Sequence, residues 1–203
     1  MKIICVGLNY KEHIKEMARE RPSNPHIFLK PDSAIVKNNK PFFLPDFDSE
    51  IHYEAEIVLS ICKVGKHVQP RFAHRYFDKL TVGIDFTARD LQRRLSKEIL
   101  PWAISKGFDG SAPLGKFVSV DKIKDINNIS FSLEKNGFVV QEGLTSDMLF
   151  NFAEIISYAS IFFTLKTGDL IFTGTPAGVG PVSKDDRLTA FLEGEKVLDF
   201  SIK

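Results

Sequence analysis

Two glutamates, Glu54 and Glu56, lie two positions apart in an apolar segment that continues with the β-branched pair Ile57-Val58. Side chains alternate along a strand, so the two carboxylates should point to the same face. If that face is turned inward, their mutual repulsion requires a bound cation or protons. The alternative is an edge strand whose glutamates stand in water, which is the commoner situation for an isolated Glu-x-Glu.

A second group begins at Asp85, where a predicted strand passes into a predicted helix. Arg89 and Gln92 follow four and seven residues later, and this spacing places them close to one face of that helix. A guanidinium fork and an amide directed at the same place could bind a carboxylate substrate. The alternative is a surface arginine beside Asp90, with that aspartate serving only to cap the helix.

Two further residue groups could move or stabilise charge. His13 and Glu16 are three positions apart on a predicted helix, so the carboxylate can orient the imidazole as a general base for water. The alternative is an ordinary solvated helix in a stretch rich in Lys and Glu. Lys106 follows an aromatic, apolar stretch that includes Trp102, and a lysine buried there would need an anionic partner, although most lysines are solvated.

The segment 168–180 is rich in glycine and contains a loop that follows a short hydrophobic strand. Such a loop can offer backbone N–H groups to an anion. It lacks the Gly-Lys-Ser/Thr of a P-loop and the spacing of a dinucleotide fingerprint, which disfavours nucleotide binding. No Gly-x-Ser-x-Gly elbow supports serine hydrolase chemistry. His26, His67 and His74 show no metal-ligand spacing and are predicted to be surface or structural residues.

The elements that must position these residues are predicted to be mainly strands. Strands are expected over 3–8, 52–61 and 80–86, and hairpins over 129–142 and 187–202, the first with the turn signal Asn136-Gly137. Helices are expected over about 10–21, 88–98 and 147–163, the first two opened by capping boxes at Asn9–Glu12 and Thr87–Asp90. Helices and strands do not alternate regularly, so the pattern favours an α+β fold over α/β.

The first of these helices has few apolar residues and many charged ones. It is therefore held weakly to any core, and we expect the segment 10–25 to be a mobile element.

Composition narrows the class of protein. The 203 residues suit a single domain over 1–203, and the 43% hydrophobic content is typical of a soluble globular protein. Lys and Arg number 27 against 26 Asp and Glu, so no basic excess suggests nucleic acid. Cys5 and Cys62 are isolated in apolar segments, which disfavours a disulfide framework. With no predicted signal peptide or membrane span, we expect a cytoplasmic protein.

Taken together, the order of these motifs resembles the fumarylacetoacetate hydrolase (FAH) family along essentially the whole chain. The matching motifs are Gly7-Leu8-Asn9-Tyr10 with His13 and Glu16, Phe28-Leu29-Lys30-Pro31, His52-Tyr53-Glu54-Ala55-Glu56, Asp85 to Gln92, Leu100-Pro101-Trp102, Lys106-Gly107-Phe108, and Gly168-Asp169 with Thr173 to Pro181. The short length and the Leu-Pro-Trp and Thr-Ala-Arg-Asp motifs are most similar to the acylpyruvase and oxaloacetate decarboxylase branch.

The resemblance implies a strand-rich mixed β-sandwich or roll with a few helices, usually as a homodimer. It implies that Glu54, Glu56 and Asp85 bind Mg²⁺, Mn²⁺ or Ca²⁺, which agrees with the preference of hard cations for oxygen ligands. In this pattern Lys106 is a catalytic lysine, the His13–Glu16 pair lies on a lid over the substrate, and Arg89, Gln92 and Thr175 contact substrate. The family often has Arg at the position of Leu8, so the distal end of the substrate is where this chain departs from the pattern.

The expected chemistry is stabilisation, by Mg²⁺ or a similar metal and by Lys106, of the enolate of a small 2-oxo acid. An acylpyruvate would be hydrolysed at a C–C bond with His13 activating water, whereas oxaloacetate would lose CO₂ without an attacking water. An isomerase of the 2-hydroxyhepta-2,4-diene-1,7-dioate type would use the same enolate and move a proton. A non-catalytic 2-oxo acid binding protein needs the metal and the arginine but no base, and a structural or interaction module needs neither.

Overall fold

A computed structural model describes all residues, 1–203, and contains fifteen strands and four α-helices. The strands are β1 (Ile3–Gly7), β2 (His26–Lys30), β3 (Ile35–Val36), β4 (Ile51–Tyr53), β5 (Ala55–Ile61), β6 (Phe77–Ile84), β7 (Thr87–Ala88), β8 (Ala112–Pro113), β9 (Val118–Ser119), β10 (Ser130–Lys135), β11 (Phe138–Leu144), β12 (Leu170–Phe172), β13 (Gly180–Pro181), β14 (Arg187–Leu192) and β15 (Glu195–Ser201). The helices are α1 (Lys11–Glu16), α2 (Arg89–Lys97), α3 (Ala103–Lys106) and α4 (Phe152–Phe162). No helix is both long and apolar enough to cross a membrane.

The strands form two main sheets and two small ones. A six-stranded mixed sheet has the order β2-β1-β12-β5-β6-β9, in which only the β1–β12 pair is parallel. A four-stranded antiparallel sheet has the order β11-β10-β14-β15. Strands β13, β4 and β7 form a three-stranded sheet, and β3 pairs with β8. The predicted α+β class with a strand-rich mixed sandwich is confirmed.

The central strand β5 is buried on both faces, which explains its almost uninterrupted apolar sequence. Ile57 and Leu59 belong to the main core, which the six-stranded and four-stranded sheets share. Val58, on the opposite face, packs in a smaller core with Cys5 and Phe172. Glu56 alternates with Ile57 and therefore points away from the main core, as the strand periodicity predicted.

Several element boundaries differ from the prediction, among them the strand predicted over 80–86, which is Phe77–Ile84. The region predicted as one strand over 52–61 is two strands, because the chain leaves one sheet and enters another at Glu54. The helix predicted over 147–163 begins only at Phe152, where the side chains of Asn151 and Glu154 form a capping box. The residues before it, Thr145–Asp147, form a separate 3₁₀ turn.

The first helix is much shorter than predicted and is capped differently. Helix α1 spans only Lys11–Glu16, its N-cap residue is Tyr10, and no side chain caps it, so the capping box predicted at Asn9–Glu12 is wrong. Asn9 instead uses its side chain to link two other segments. Its amide nitrogen donates to the carbonyls of Thr173 at 2.7 Å and Phe150 at 3.0 Å.

Candidate active site

A shared change of sheet brings Glu54 next to Asp85. Strands β5 and β6 pair with each other, and this pairing ends where Ala55 lies opposite Ile84. The residues just beyond, in β4 and β7, pair in the three-stranded sheet instead. The two neighbouring segments therefore bend at the same level, and the backbone N–H of Asp85 donates to the carbonyl of Glu54 at 2.8 Å. The bend places two carboxylates that are 31 residues apart in sequence at one point.

Three carboxylates meet at this bend. One oxygen from each of Glu54, Glu56 and Asp85 lies within 4.8 Å of the others, and all three residues are buried. Glu56 also accepts a hydrogen bond from the backbone N–H of Gly174 at 2.7 Å. The alternative of a solvated edge strand is therefore wrong for this glutamate pair, because the carboxylates point inward.

Lys106 lies between two of these carboxylates. Its ammonium group donates to Glu54 at 2.7 Å and to Asp85 at 2.9 Å, and the residue is only 4% exposed. Burial alone would lower the pKa of Lys106, but the charges of Asp85 and Glu54 raise it above its ordinary value. The sequence prediction that a buried lysine here needs an anionic partner is confirmed, and the third N–H of the ammonium is not used by the protein.

A second buried lysine, Lys30 at the end of β2, lies behind Asp85. Its ammonium group is 2.8 Å from Oδ1 of Asp85 and also donates to the carbonyls of Phe86 and Ser111, both at 3.2 Å, and to that of Lys106. The sequence pattern had indicated no role for Lys30 beyond its place in a family motif. The signal that could have found it is a lysine at the end of a short, largely apolar strand, followed by Pro31.

The side chain of Arg89 is already engaged by protein groups. Its guanidinium donates to the carboxylate of Glu54 at 2.6 Å and to the side-chain amide oxygen Oε1 of Gln92 at 2.7 Å. The predicted proximity of Arg89 and Gln92 is confirmed. That they bind a substrate carboxylate stays a prediction. Burial alone would raise the pKa of Glu54, but Lys106 and Arg89 hold it well below its ordinary value.

The capping box predicted at Thr87–Asp90 is wrong. Thr87 and Ala88 form β7, and Ala88 is the N-cap residue of α2 without a capping side chain. The carboxylate of Asp48 instead accepts from the backbone N–H of Leu91 at 2.7 Å, inside the first turn of the helix. Tertiary structure supplies from a distant loop the hydrogen bond that the local sequence pattern was expected to provide.

The glycine-rich segment binds the protein's own carboxylates. The N–H of Gly174 donates to Glu56, and the N–H of Gly178 donates to Glu16 at 3.0 Å. These two donors are therefore occupied by the protein itself. Thr175, in the same segment, is buried, and its hydroxyl accepts from Gln141 at 2.8 Å, which leaves its own O–H as a donor.

Gln141 is another residue that sequence analysis missed. Its amide also donates to the carbonyl of Pro176 at 3.0 Å and accepts from the N–H of Ala55 at 2.9 Å. It thus links the glycine-rich segment to the start of β5. No local signal distinguishes this glutamine from any other polar residue of a hairpin strand.

His13 and Glu16 form the predicted pair. Nδ1 of His13 lies 2.9 Å from a carboxylate oxygen of Glu16, so Nε2 is the nitrogen left to exchange a proton. His13 is 5% exposed and Ile14 is also buried, so α1 is packed against the protein and is not the fully solvated helix of the alternative. Movement of the segment 10–25 as a lid stays a prediction.

The site fits a divalent cation. Its donor set is three carboxylates, which hard cations prefer, and Oδ1 of buried Asp85 accepts no hydrogen bond, although the ammonium group of Lys30 forms an ion pair with it at 2.8 Å. Burial and the negative charge of Asp85 raise the pKa of Glu56 well above its ordinary value. The protein's own cations therefore leave the ionised form of Glu56 insufficiently compensated, which a bound metal ion would correct.

All nine predicted site residues except Glu16 line one cavity of about 380 Å³, and Glu16 contacts it through His13. Its charged and polar lining residues are His13, Arg19, His52, Glu54, Glu56, Asp85, Arg89, Gln92, Arg93, Ser96, Lys106 and Thr175. Leu8, Met17 and Val179 add apolar surface. The geometry combines three carboxylates that could hold a metal ion, a free N–H of a buried lysine and a candidate base in one cavity large enough for a small organic acid.

The chain is similar to known proteins along almost its whole length. Residues 2–202 match the family described as fumarylacetoacetate (FAA) hydrolase C-terminal. The chain is 39% identical to oxaloacetate tautomerase FAHD1, mitochondrial, of Bos taurus over 99% of this chain and 91% of that protein. It is 42% identical to the mitochondrial oxaloacetate decarboxylase of Dictyostelium discoideum over 89% of this chain and 84% of that protein.

A solved structure with a bound metal is also similar. Fumarylpyruvate hydrolase from Pseudomonas aeruginosa, in complex with Mn²⁺ and pyruvate, superposes with a TM-score of 0.94 at 34% identity, over 100% of this chain and 89% of that one. These enzymes act on small 2-oxo acids, and the predicted resemblance is confirmed. The match along the whole chain, in sequence and in structure, shows that this protein belongs to the fumarylacetoacetate hydrolase family.

Proposed function

We propose that this chain is a metal-dependent enzyme that hydrolyses the C–C bond of acylpyruvates by way of a pyruvate enolate. The observation that carries the proposal is the His13–Glu16 pair on the wall of the cavity that also contains the three carboxylates and Lys106. Hydrolysis needs a base for water and a group that stabilises the enolate, and both lie in this cavity.

Glu54, Glu56 and Asp85 would hold the metal ion. When bound, Mg²⁺ or Mn²⁺ supplies Lewis-acid stabilisation of the negative charge that develops on the 2-oxo acid. The hydrolase of Pseudomonas aeruginosa in its Mn²⁺ and pyruvate complex supports this choice of cofactor. Mg²⁺ remains our proposal for the metal used in the cell.

The protein's own residues then divide the remaining work. Nε2 of His13, oriented by Glu16, takes a proton from water as the water oxygen attacks the distal carbonyl carbon. The C–C bond to the pyruvate methylene breaks, and its electron pair passes into the enolate. Lys106 donates its free N–H as a hydrogen bond to the enolate oxygen. The proton that His13 took from water then passes to the methylene carbon, which gives pyruvate and a carboxylic acid. Arg89, Gln92 and Thr175 orient the pyruvate carboxylate.

Action on oxaloacetate is a second candidate, favoured by the similarity to the tautomerase of Bos taurus and the decarboxylase of Dictyostelium discoideum. Decarboxylation forms the same enolate as CO₂ leaves, without an attacking water. Tautomerisation, like the isomerase alternative, moves only a proton. Decarboxylation and tautomerisation therefore differ from hydrolysis, because neither requires His13 to activate a water molecule for attack.

The test is a panel of 2-oxo acids with added Mg²⁺ or Mn²⁺. We expect His13→Ala to lower acylpyruvate hydrolysis by about 10²- to 10⁴-fold and to leave oxaloacetate decarboxylation within a few-fold. His26→Ala, which changes an exposed histidine of β2, is the matched control and should change neither reaction. Unchanged hydrolysis in His13→Ala would exclude this base.

Asp85→Asn tests the metal separately. It should lower both activities strongly, since the carboxylate is one of only three candidate ligands. Full activity of Asp85→Asn in the presence of a chelator would contradict the metal-dependent mechanism. Specific binding of 2-oxo acids by the wild type, without turnover of any of them, would support the non-catalytic alternative instead.

We also propose that the chain forms a homodimer and acts in the cytoplasm. An apolar surface cleft supports the dimer: it is lined by Leu29, Phe47, Leu91, Ile104 and Phe108, and Ile104 is 61% exposed. Analytical ultracentrifugation of the wild type should show a dimer, and Ile104→Glu should show a monomer. A dimer in both would place the interface elsewhere on the surface.

A further inference from the structure

One cation of the cavity has no partner in the protein. Four side chains of fixed positive charge line the cavity, namely Arg19, Arg89, Arg93 and Lys106. The last three each lie within 2.7 Å of a carboxylate oxygen, but Arg19 forms no ion pair and no side-chain hydrogen bond. A cation that faces a cavity without a counter-charge is available to an anionic ligand.

A defined turn holds Arg19 at this place. Helix α1 ends in a Schellman motif, in which the N–H of Arg19 bonds to the carbonyl of Ile14 at 3.0 Å and the N–H of Ala18 bonds to that of Lys15 at 3.0 Å. Ala18 takes the left-handed conformation that this motif requires, with a φ of 48°. The backbone of Arg19 is therefore held by hydrogen bonds to the last turn of α1.

Arg19 belongs to the solvent-exposed part of the cavity lining, whereas the three carboxylates belong to its buried part. The residue is exposed, whereas Glu54, Glu56 and Asp85 are at most 6% exposed. Leu8 and Met17 also line the cavity and carry no charge. A ligand whose 2-oxo acid end occupies the buried carboxylate site would extend past these apolar side chains toward Arg19.

We infer that Arg19 binds a second carboxylate at the distal end of the ligand and so makes the cavity selective for dicarboxylic over monocarboxylic 2-oxo acids. The inference rests on the proposed function for the identity of the buried end. A guanidinium pairs well with a carboxylate through two parallel hydrogen bonds, whereas an uncharged acyl group leaves it unpaired.

The kinetic test compares two acylpyruvates that share the reacting unit. For Arg19→Gln we expect kcat/KM to fall about 10- to 100-fold for fumarylpyruvate, mainly through KM, because the contact is present in the ground state as well as the transition state. For acetylpyruvate, which has a methyl group at the distal end, the change should stay within twofold. Arg21→Gln, an exposed arginine outside the cavity lining, is the matched control and should alter neither value.

A binding test separates this inference from the proposed function. In the presence of Mn²⁺, calorimetry should show that Arg19→Gln weakens binding of 2-oxoglutarate about 10-fold or more and leaves binding of pyruvate unchanged. If the wild type turns over no substrate but this difference persists, the proposed function fails and the inference stands. Equal losses for both ligands, or no loss for 2-oxoglutarate and fumarylpyruvate, would overturn the role of Arg19.

Discussion

The ammonium group of Lys30 lies 2.8 Å from Oδ1 of Asp85, and neither side chain is more than 1% exposed. The same ammonium donates to the backbone carbonyls of Phe86 and Ser111 and to the hydroxyl of Ser111. It thereby joins the residue after Asp85 to the segment that follows Lys106. A buried charge with this many partners positions the carboxylate that it faces.

Removing this lysine should destabilise the protein. Lys30→Met leaves a buried carboxylate without its counter-charge and three carbonyls without their donor, so we expect the free energy of unfolding to fall by about 3–5 kcal/mol. Lys15→Met is the control, because Lys15 pairs with Glu12 at 2.7 Å on the surface, where such pairs contribute at most about 1 kcal/mol. Urea unfolding measures both, and similar losses would contradict a positioning role for Lys30.

Neutralising Glu56 should have opposite effects without and with metal. Burial and Asp85 raise its pKa, so Glu56→Gln removes an unfavourable charge, and the metal-free variant should be at least as stable as the wild type. With Mn²⁺ or Mg²⁺ added, the wild type should gain thermal stability and the variant should not, because a ligand is lost. Thermal unfolding with metal and with chelator makes the comparison, and equal stabilisation of both proteins would remove Glu56 from the ligand set.

Gly174 should tolerate no side chain. Its φ is +100°, and a Cβ placed there would lie 2.6 Å from Cβ of Asn9 and 3.3 Å from the carbonyl of Val6. Gly174→Ala should therefore cost about 2–4 kcal/mol, the sum of backbone strain and overpacking. Gly168→Ala is the control: its φ is +89° with open space around it, so only the backbone strain of about 1–2 kcal/mol is expected. Equal losses in chemical unfolding would show that the contact with Asn9 is unimportant.

Asp169 should give stability that depends on pH. Burial alone would raise its pKa, but hydrogen bonds from the side chain and backbone of Lys2 and the backbone N–H of Lys166 lower it below the ordinary value. A carboxyl group whose pKa is lower in the folded state stabilises the fold above its unfolded pKa, and this contribution is lost as the pH falls. Asp169→Asn should therefore cost about 1–3 kcal/mol at pH 7.

The difference between Asp169→Asn and the wild type should narrow as the pH is lowered from about 4 toward the folded pKa, because the wild-type carboxylate then takes up a proton. Urea unfolding at pH 7 and at pH 3 measures this change. Asp199, whose pKa is lowered by an exposed partner, Arg187, offers a control: Asp199→Asn should have a much smaller effect at either pH. If Asp169→Asn lowered the free energy of unfolding equally at pH 7 and pH 3, the charge of Asp169 would not be the cause of the loss.

The sequence by itself determined the features that follow from short-range periodicity and from motif order. Alternation along a strand placed Glu54 and Glu56 on one face, and helical spacing placed His13 beside Glu16. The hairpin signal at Asn136-Gly137 led to β10 and β11 as expected. The order of the motifs along the chain was sufficient to identify the family.

Only the tertiary structure decided how distant segments complete the site. The bend that joins Glu54 to Asp85 arises because two paired strands change sheets together, and Lys30 reaches Asp85 from a strand 55 residues earlier in the chain. Local patterns also misplaced the helix caps, since Asp48 supplies from a loop the acceptor expected of the sequence next to α2. Periodicity specifies the face on which a side chain lies, whereas sheet packing specifies which residues that face contacts. The charge balance of this site depends on sheet packing.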